Sequence, residues 1–487
     1  MNAIVLVLIG MLVVIAAIVV LKLHAFLALI LAAILVAALT PGDALVAAKV
    51  ADQTIGSRIA TGFGKTCASV GILIAMAAVV GQCLLRSGAA ERIVNSALAT
   101  VGEKRAPIAF TFSGFLLAIP VFFDTVFLLL IPLGKELRIK TGKNYTLYVM
   151  SIVAGATMAH SLVPPTPGPL LAASQLNVEV GTMMLGGTIV GLFTVSAGLC
   201  YAYWLNKRLE IPLRDVEGGE RVVDTEVRPS PGPSPGPSLR GRGVERVLPP
   251  MWFALLPIAL PVVLIATSSI LSQAFDGVKA DDLPAWWVAI EPALNFVGDK
   301  NIAITIAAGL ALLMMLQYGH SDAKGMRAGV QKALESGGVI ILITAAGGAF
   351  GAILQQTGIA DEFKRMAPDG SLGLWLIPLA YGVTALVRTA QGSATVAMIT
   401  AAGIVGPIVV PLAAAGTLGF HPVYMALAIA CGSKPISWMN DSGFWVIGKM
   451  SGMTEGETFK TSSMIMIVMS VTGLIVVTLG AWLLPLA

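Results

Sequence analysis

A single carboxylate stands inside a long apolar run of this sequence. Between Arg105 and Lys135 the only charged side chain is Asp124, in the stretch IPVFFDTVFLLLIPL. Charged groups in hydrocarbon are costly, so an ionisable residue at membrane depth is by default a functional candidate. A carboxyl group there can take up and release a proton, which predicts a proton-coupling role. The alternative is a carboxylate paired permanently with a buried base, or one that holds a tight turn.

Arg388 is the matching cation, because no other charge occurs between Leu372 and Leu412. A guanidinium can hold a carboxylate through two parallel hydrogen bonds. Arg388 is therefore predicted either to bind an acidic substrate or to neutralise Asp124 as a structural pair. The residues that follow offer an amide, hydroxyls and a glycine that lets backbone approach a ligand, which suits a hydroxylated solute. The candidates are Gln391, Gly392, Ser393 and Thr395.

The segment HSLVPPTPGP contains a histidine and four prolines. Histidine can exchange a proton near neutral pH, so His160 is predicted either to relay protons or to be satisfied by a backbone carbonyl. Because prolines lack the backbone N–H, the segment is not expected to form regular helix. The free carbonyls then belong either to a binding element or to a kink at a helix end. The candidate site residues here are Pro165, Thr166 and Gly168.

A second polar interruption, WMNDSGF, presents an amide, a carboxylate and a hydroxyl in Asn440, Asp441 and Ser442. A helix that restarts at this point would be capped by Asp441 or Ser442. The N-terminus of such a helix also presents amide groups to an anion. Both interpretations are open, and Lys434 lies near enough in sequence to pair with Asp441.

The composition is that of an integral membrane protein. Of 487 residues, 56% are hydrophobic and 12% are charged, against about 25% charged in soluble domains, and the mean hydropathy is +0.86. The net charge of +4 is spread over loops, which favours no nucleic-acid partner. The four cysteines lie in apolar segments without metal-type spacing, so we expect small core residues and no disulfide framework. No metal site or cofactor is predicted.

One nucleotide-like motif, GFGKT at Gly62–Thr66, lacks the earlier glycine and the preceding strand of a phosphate-binding loop. Primary active transport is therefore disfavoured.

Membrane spans follow from runs of about 20 apolar residues, with Lys and Arg collecting in cytoplasmic loops. These rules predict a multi-pass protein of the inner membrane whose first span is retained and whose termini both lie outside. The predicted spans are Ile4–Leu21, Ala25–Leu39, Thr66–Leu85, Tyr145–Val163, Gly181–Leu205, Met251–Ile270, Ile302–Tyr318 and Val339–Leu354.

The apolar stretch Ala106–Gly134 is basic on both flanks and short for two crossings. A re-entrant hairpin with its tip near residues 120–125 satisfies both constraints, since irregular backbone at depth is tolerated inside protein. The tip would carry Phe123, Asp124 and Thr125.

A repeat relates the two halves of the chain. GQCLLRSGAAERI echoes GAILQQTGIADEF, with Gly88 opposite Gly358, and in each half a hairpin precedes a broken helix. The charge-based topology gives the copies opposite orientations, which is the pattern of inverted-repeat secondary transporters. The predicted fold is all-α and polytopic, with two re-entrant hairpins and two broken helices. The first hairpin tip is the one near residues 120–125, and its partner tip lies in RTAQGSAT, residues 388–395. The predicted units are N-terminal scaffold helices 1–65, first repeat 66–205, Pro/Gly-rich cytoplasmic linker 206–250, connecting scaffold helices 251–335 and second repeat 336–487.

The motifs FFDTVFLLLIPL, HSLVPPTPGP, AQGSATVAMITAAG and NDSGFW resemble those of the gluconate permease family. The resemblance implies proton symport of gluconate and related sugar acids, with some members taking D-serine or glycerate-like substrates, and an elevator-type movement. It maps the acidic hairpin position to Asp124, where better-known members have glutamate, and the histidine before the prolines to His160. The chain differs from those members at Thr166, where they carry a second histidine.

We therefore expect a symporter that imports gluconate or a related hydroxy-carboxylate with a proton. Arg388 and polar hairpin atoms would hold the anion, and Asp124 would take the proton. The alternatives are a Na⁺-coupled carboxylate carrier, a D-serine or glycerate-type permease, a passive anion channel, and an intramembrane enzyme using Asp124 with Asp441. The protein is expected to contact the lipid bilayer, a small anionic substrate and a second copy of itself.

Overall fold

The computed structural model describes residues 3–214, 247–275, 284–319, 323–359, 362, 373–438 and 441–486. Within these ranges the chain is helical and contains no β-strand. Among the described residues eight helices are long and apolar enough to cross a membrane, which confirms the all-α polytopic class. Six of them correspond to predicted spans, whereas Ala394–Ala414 and Glu455–Leu483 were not predicted as spans. The predicted spans Ile4–Leu21 and Ala25–Leu39 correspond to shorter apolar helices. Most of the predicted linker, 206–250, and Asn440 lie outside the described residues.

The helices, numbered in chain order, enclose the breaks that matter for the site. They are α1 Ala3–Val19, α2 Ala25–Leu39, α3 Gly42–Ala47, α4 Ile55–Arg86, α5 Ala89–Val101, α6 Ala106–Leu117, α7 Phe123–Thr141, α8 Tyr145–Leu162, α9 Pro167–Gln175, α10 Val180–Asn206, α11 Met251–Phe275, α12 Ala285–Gly298, α13 Lys300–Tyr318, α14 Ala323–Gln355, α15 Leu376–Gln391, α16 Ala394–Ala414, α17 Val423–Gly432, α18 Ser442–Ser451, α19 Glu455–Thr458 and α20 Met464–Leu483, with a 3₁₀ turn at Glu103–Arg105 and a π-helical turn at Phe459–Ser463.

Two predicted spans are longer than expected. Helix α4 begins at Ile55 rather than Thr66, and α14 begins at Ala323 rather than Val339. A hydropathy window reports only the apolar part of a helix, whereas exposed polar residues such as Lys332 continue it beyond that part. A further helix, α12, lies between the predicted spans Met251–Ile270 and Ile302–Tyr318.

The proline segment is interrupted over a shorter stretch than expected. Helix α8 ends at Leu162 and α9 starts at Pro167, with Pro167 and Pro169 inside the first turn of α9. The first turn of a helix has no intrahelical partner for its N–H groups, so prolines are tolerated there. The non-helical segment is residues 163–166.

Contacts divide the helices into two groups. We call α1, α2, α4 and α11–α14 the scaffold group, and α6–α10, α15–α18 and α20 the site group. Helices α4 and α14 form the main contact of the scaffold group through small residues, since a Cβ added at Gly62 would lie 2.9 Å from the Cβ of Ala352. The two groups meet chiefly where α14 packs against α16.

Both copies of the sequence repeat make the same backbone turn. Gly88 follows α4 with φ +80°, and Gly358 follows α14 with φ +78°, a region that favours glycine. The helix breaks at 118–122 and 392–393 also fall where the two hairpin tips were predicted. These features support the repeat, while its inverted orientation and the re-entrant course of the hairpins stay predictions.

The broken helices lie in the interior of the bundle. Every residue of α8 and every residue of α17 is buried. Backbone that leaves the helix at membrane depth needs such surroundings, because hydrocarbon satisfies no N–H or C=O group. Helix α8 approaches α6 so closely that a Cβ at Gly155 would overlap the carbonyl oxygen of Thr111.

The start of the predicted linker is packed rather than free. Arg214 donates to Glu457 from both terminal nitrogens, at 2.6 and 2.9 Å, and to the carbonyl oxygen of Gly452 at 3.0 Å. The end of segment 206–214 is therefore folded against α19 and the turn that follows α18.

The four cysteines are free thiols. Cys83 and Cys431 are buried as expected, whereas Cys67 is half-buried and Cys200 is exposed, so the prediction of core positions was wrong for these two. Position along an apolar run does not reveal which face of a helix reaches the surface.

The close contact between α6 and α8 predicts that a methyl group added at Gly155 lowers the thermal stability of the protein, whereas one added at an uncrowded glycine does not. Gly155→Ala should lower Tm, because a methyl group forced against backbone costs about 1–3 kcal/mol. Gly64→Ala is the matched control, since nothing lies within 4 Å of a Cβ there. It should leave Tm unchanged or raise it slightly, as alanine is the better helix former. A thermal-shift assay on detergent-purified protein measures both, and equal Tm values would contradict the close approach.

Candidate functional site

The four helix breaks converge on one polar cavity of about 190 Å³. The tips of the two predicted hairpins, the end of α8 and the segment between α17 and α18 all contribute lining residues. The cavity brings together many of the residues singled out from sequence, namely Phe123, Asp124, His160, Arg388, Gly392, Ser393, Thr395, Asp441 and Ser442. It also contains residues that the site prediction left out, namely Phe122, Thr157, Ala394, Lys434, Gly443 and Met466.

Other predicted residues do not line this cavity. The hydroxyl of Thr166 donates to the carbonyl oxygens of His160 at 2.7 Å and Val163 at 3.0 Å, so it supports the break in the helix. Gly168 lies against Met398, where a Cβ would overlap the methionine side chain. Thr125 and Pro165 also lie outside the lining. Asn440 and the side chain of Gln391 are not among the described atoms.

Asp441 joins the second hairpin to the second broken helix. Its Oδ2 accepts short hydrogen bonds from Arg388 and from the hydroxyl of Ser437. Its Oδ1 accepts from the backbone N–H of Gly443 at 2.9 Å, which makes Asp441 the N-cap of α18. The predicted cap is thereby confirmed. A buried carboxylate with a cation and two further donors is well compensated.

Arg388 is 3% exposed and pairs with Asp441. The predicted structural pair of Arg388 with Asp124 is absent, because the guanidinium pairs with Asp441 instead. The guanidinium Nε and Nη1 atoms are buried and have no hydrogen-bond partner among the described residues. Arg388 can therefore donate to a ligand while its charge stays balanced by Asp441.

Asp124 lies in the first turn of α7, where the helix dipole favours a negative charge. Its side chain is half-buried and forms no ion pair within 4 Å in the described part of the chain. It interacts electrostatically with Asp441 and Lys434 across the cavity. A carboxyl group in this position can gain a proton without breaking an ion pair.

Lys434 is 5% exposed and follows α17 by two residues. The predicted pair of Lys434 with Asp441 is absent, because Arg388 occupies that carboxylate. From sequence, Lys434 was predicted only as a possible partner of Asp441. Lys434 is the only Lys, Arg, Asp or Glu between Arg388 and Asp441, which was a signal comparable to that of Arg388.

His160 and Thr157 lie one turn apart on α8 and face the cavity. The imidazole ring contacts Phe122, with ring centroids 5.6 Å apart. His160 Nδ1 and the Thr157 hydroxyl are both buried without a partner among the described residues. Polar atoms left unpaired in a cavity can bind a ligand or an ordered water.

A second cavity, of about 270 Å³, lies between the scaffold and site groups. Lys65 and Thr66 of α4, Gln175 of α9 and Gln355 of α14 line it. The GFGKT motif is thus interior to a helix and forms no phosphate loop. Next to this cavity the hydroxyls of Ser69 and Ser174 are 2.8 Å apart, across the boundary between the two groups. In the described part of the chain no cluster of His, Cys, Asp or Glu is arranged to hold a metal.

A bundle of membrane-length helices whose breaks meet at a buried polar cavity has the architecture of a solute transporter. The chain belongs to the GntP permease family, whose model matches residues 2–483. It is therefore a multi-pass membrane transporter and not an enzyme.

Several relatives match most of the chain. An uncharacterized permease of Haemophilus influenzae is 31% identical and covers 89% of this chain and 83% of its own length. A gluconate permease of Pseudomonas aeruginosa is 29% identical, with coverage of 94% and 93%. A high-affinity gluconate transporter of Escherichia coli K12 is 28% identical, with coverage of 85% and 86%.

Solved structures with the same fold are also transporters. The YdaH transporter of Alcanivorax borkumensis has a TM-score of 0.57 at 14% identity, covering 90% of each chain. MtrF of Neisseria gonorrhoeae has a TM-score of 0.52 at 17% identity, covering 89% of this chain and 84% of its own. At these identities the likeness extends to the fold alone.

The Arg388–Asp441 pair predicts strong coupling between two substitutions. Asp441→Asn keeps a good N-cap but removes the charge, and Arg388→Gln removes the cation, so each should lower Tm sharply. Breaking a buried pair from one side costs about 3–5 kcal/mol. The double variant should lose less Tm than the two single variants lose together, because it leaves no unpaired charge at the pair. Thermal-shift measurements on the four proteins give the cycle, and strictly additive losses would contradict the pair.

Proposed function

We propose that this protein imports gluconate, or a related small sugar acid, together with a proton. The single observation that carries the proposal is a polar cavity with two cations, two carboxylates and several hydroxyl groups at the helix breaks. A sugar acid needs a positive group for its carboxylate and donors and acceptors for its hydroxyls. The names of the Pseudomonas and Escherichia relatives point to the same substrate class.

Charge balance links the anion to the proton. In the empty cavity Arg388 balances Asp441, and Lys434 balances ionised Asp124. An anionic substrate would add an uncompensated negative charge in a region of low dielectric, which is costly. Protonation of Asp124 removes that excess. Anion and proton are thus favoured together, which is the requirement for symport.

The remaining polar groups suit the hydroxylated part of the substrate. Arg388 offers unpaired N–H groups, Thr157 an unpaired hydroxyl, and Thr395 a hydroxyl at the second hairpin tip. Gly392, with φ +86°, ends α15 beside the cavity without a side chain. Donors and acceptors on several walls would favour a chain of hydroxyl groups over a simple carboxylate.

His160 is proposed as a second member of the proton route. It lies on the same cavity as Asp124 and retains an unpaired ring nitrogen. The ring contact with Phe122 holds it near the hairpin tip that carries Asp124. The imidazole can then pass a proton or receive a substrate hydroxyl.

The division into scaffold and site groups supports elevator-type movement as the transport step. The binding cavity is built entirely from the site group. The second cavity and the Ser69–Ser174 contact lie at the boundary between the groups. Displacement of the site group along α4 and α14 would carry the cavity across the membrane.

Asp124→Asn tests the coupling. In proteoliposomes with an alkaline interior the variant should lose gradient-driven accumulation of D-gluconate, because the amide holds no exchangeable proton. It should keep exchange of internal for external gluconate at equal pH, because the neutral amide mimics the loaded, protonated state. Glu91→Gln, outside the cavity, is the control and should behave as wild type.

Full gradient-driven accumulation by Asp124→Asn would exclude Asp124 as the proton site. Uptake by the wild type that followed a sodium gradient at equal pH would instead favour the Na⁺-coupled alternative.

Ser69→Cys with Ser174→Cys tests the movement. In a background whose four native cysteines are replaced by alanine, oxidation should join α4 to α9 and stop uptake, and a reducing agent should restore it. Each single cysteine variant, treated with the same oxidant, should stay active. Undiminished uptake by a fully cross-linked protein would show that the two groups need not move past each other.

A further inference from the structure

We propose that Lys434, and not Arg388, supplies the net positive charge that selects a carboxylate substrate. This inference rests on the proposed function and assigns the anion to a residue that the sequence motifs did not indicate. Both cations line the same cavity, so the question is which of them retains charge to offer.

The positive charge of Arg388 is already neutralised by Asp441. Its terminal nitrogen is paired with Asp441, whose other oxygen caps α18. Full engagement of Arg388 by a substrate would compete with that pair and with the start of the helix. The free Nε and Nη1 atoms remain good donors, but a guanidinium neutralised by a carboxylate attracts a further anion weakly.

Lys434 is in the opposite situation. It is almost fully buried and has no carboxylate within 4 Å in the described structure. None of the hydrogen bonds among the described residues involves its Nζ, so three N–H donors remain for a ligand. The C-terminal end of α17, two residues earlier, favours a cation at this place.

The protonation state of Asp124 determines whether Lys434 can bind a substrate carboxylate. The two groups attract each other electrostatically when Asp124 is ionised. Protonation of Asp124 removes one of the two carboxylates that attract Lys434, and the other, Asp441, is already paired with Arg388. A substrate carboxylate then replaces the lost negative charge. Protonation of Asp124 therefore increases the affinity of Lys434 for the anion.

The test compares each acid with its neutral amide. D-gluconate and D-gluconamide have the same hydroxylated chain and differ in charge, as do D-glycerate and D-glyceramide. Binding to the purified full-length protein is measured by thermal shift and calorimetry at fixed pH. The wild type should prefer the acid by about tenfold or more, the size of a charge-assisted hydrogen bond in a buried site. Lys434→Gln should reduce this preference to about threefold or less.

Three variants separate binding from folding. Lys434→Arg restores the charge and should recover the preference for the acid. Lys460→Gln removes an exposed lysine of the same half of the chain and should change nothing. Asp124→Asn combined with Lys434→Gln keeps the cavity neutral, so it should fold even where the single variant is unstable, and it should still lack the preference.

The outcomes distinguish the two proposals. If an acid stabilises the wild type and Lys434→Gln or the neutral double variant keeps the full acid preference, the role of Lys434 is excluded while the proposed function stands. Equal loss of acid and amide binding by Lys434→Gln would show that Lys434 has only a structural role in the cavity. If no acid stabilises the wild type, the proposed substrate class fails, and the inference fails with it.

Discussion

Backbone groups that leave the helix inside an apolar bundle must find partners in the protein, and this constraint governs the whole arrangement. It explains why α8 and α17 are buried along their full length. It also explains why the Thr166 hydroxyl donates to a backbone carbonyl and the Asp441 carboxylate accepts from a backbone N–H at the breaks. The cavity exists because several such breaks meet, so the same interruptions that cost stability create the place where a polar solute can bind.

Much of this could be read from sequence. Hydropathy located six of the eight membrane-length helices of the described residues, and prolines and small polar residues located the broken helices. Asp124 and Arg388 stood out because each is the lone charge of its apolar run. These signals are local, since each reflects the cost of one group at membrane depth. The repeat added long-range order, and the left-handed glycines Gly88 and Gly358 agree with it.

The partners of those residues could not be read in the same way. Which carboxylate meets Arg388 depends on how the end of α15 sits against the start of α18, and pairing with Asp441 left Asp124 and Lys434 without close partners. Thr166 and Gly168 had the composition of binding residues but serve the local turn and the packing on Met398. Pairings between distant segments are set by tertiary packing, and single-residue chemistry does not encode them.

The balance of charges in the cavity has an energetic consequence. In the proposed cycle the site group moves either empty, with Asp124 ionised, or loaded, with Asp124 protonated and the anion bound. In both states Asp441 and one further negative charge, that of Asp124 or of the substrate, offset Arg388 and Lys434, so the cavity has no net charge. Membrane voltage then does no work on the moving part. Only the difference in proton concentration drives accumulation, at about tenfold for each unit of pH, since ~1.4 kcal/mol corresponds to a factor of ten. Such a carrier would work best for a cell in acidic surroundings and would be indifferent to depolarisation.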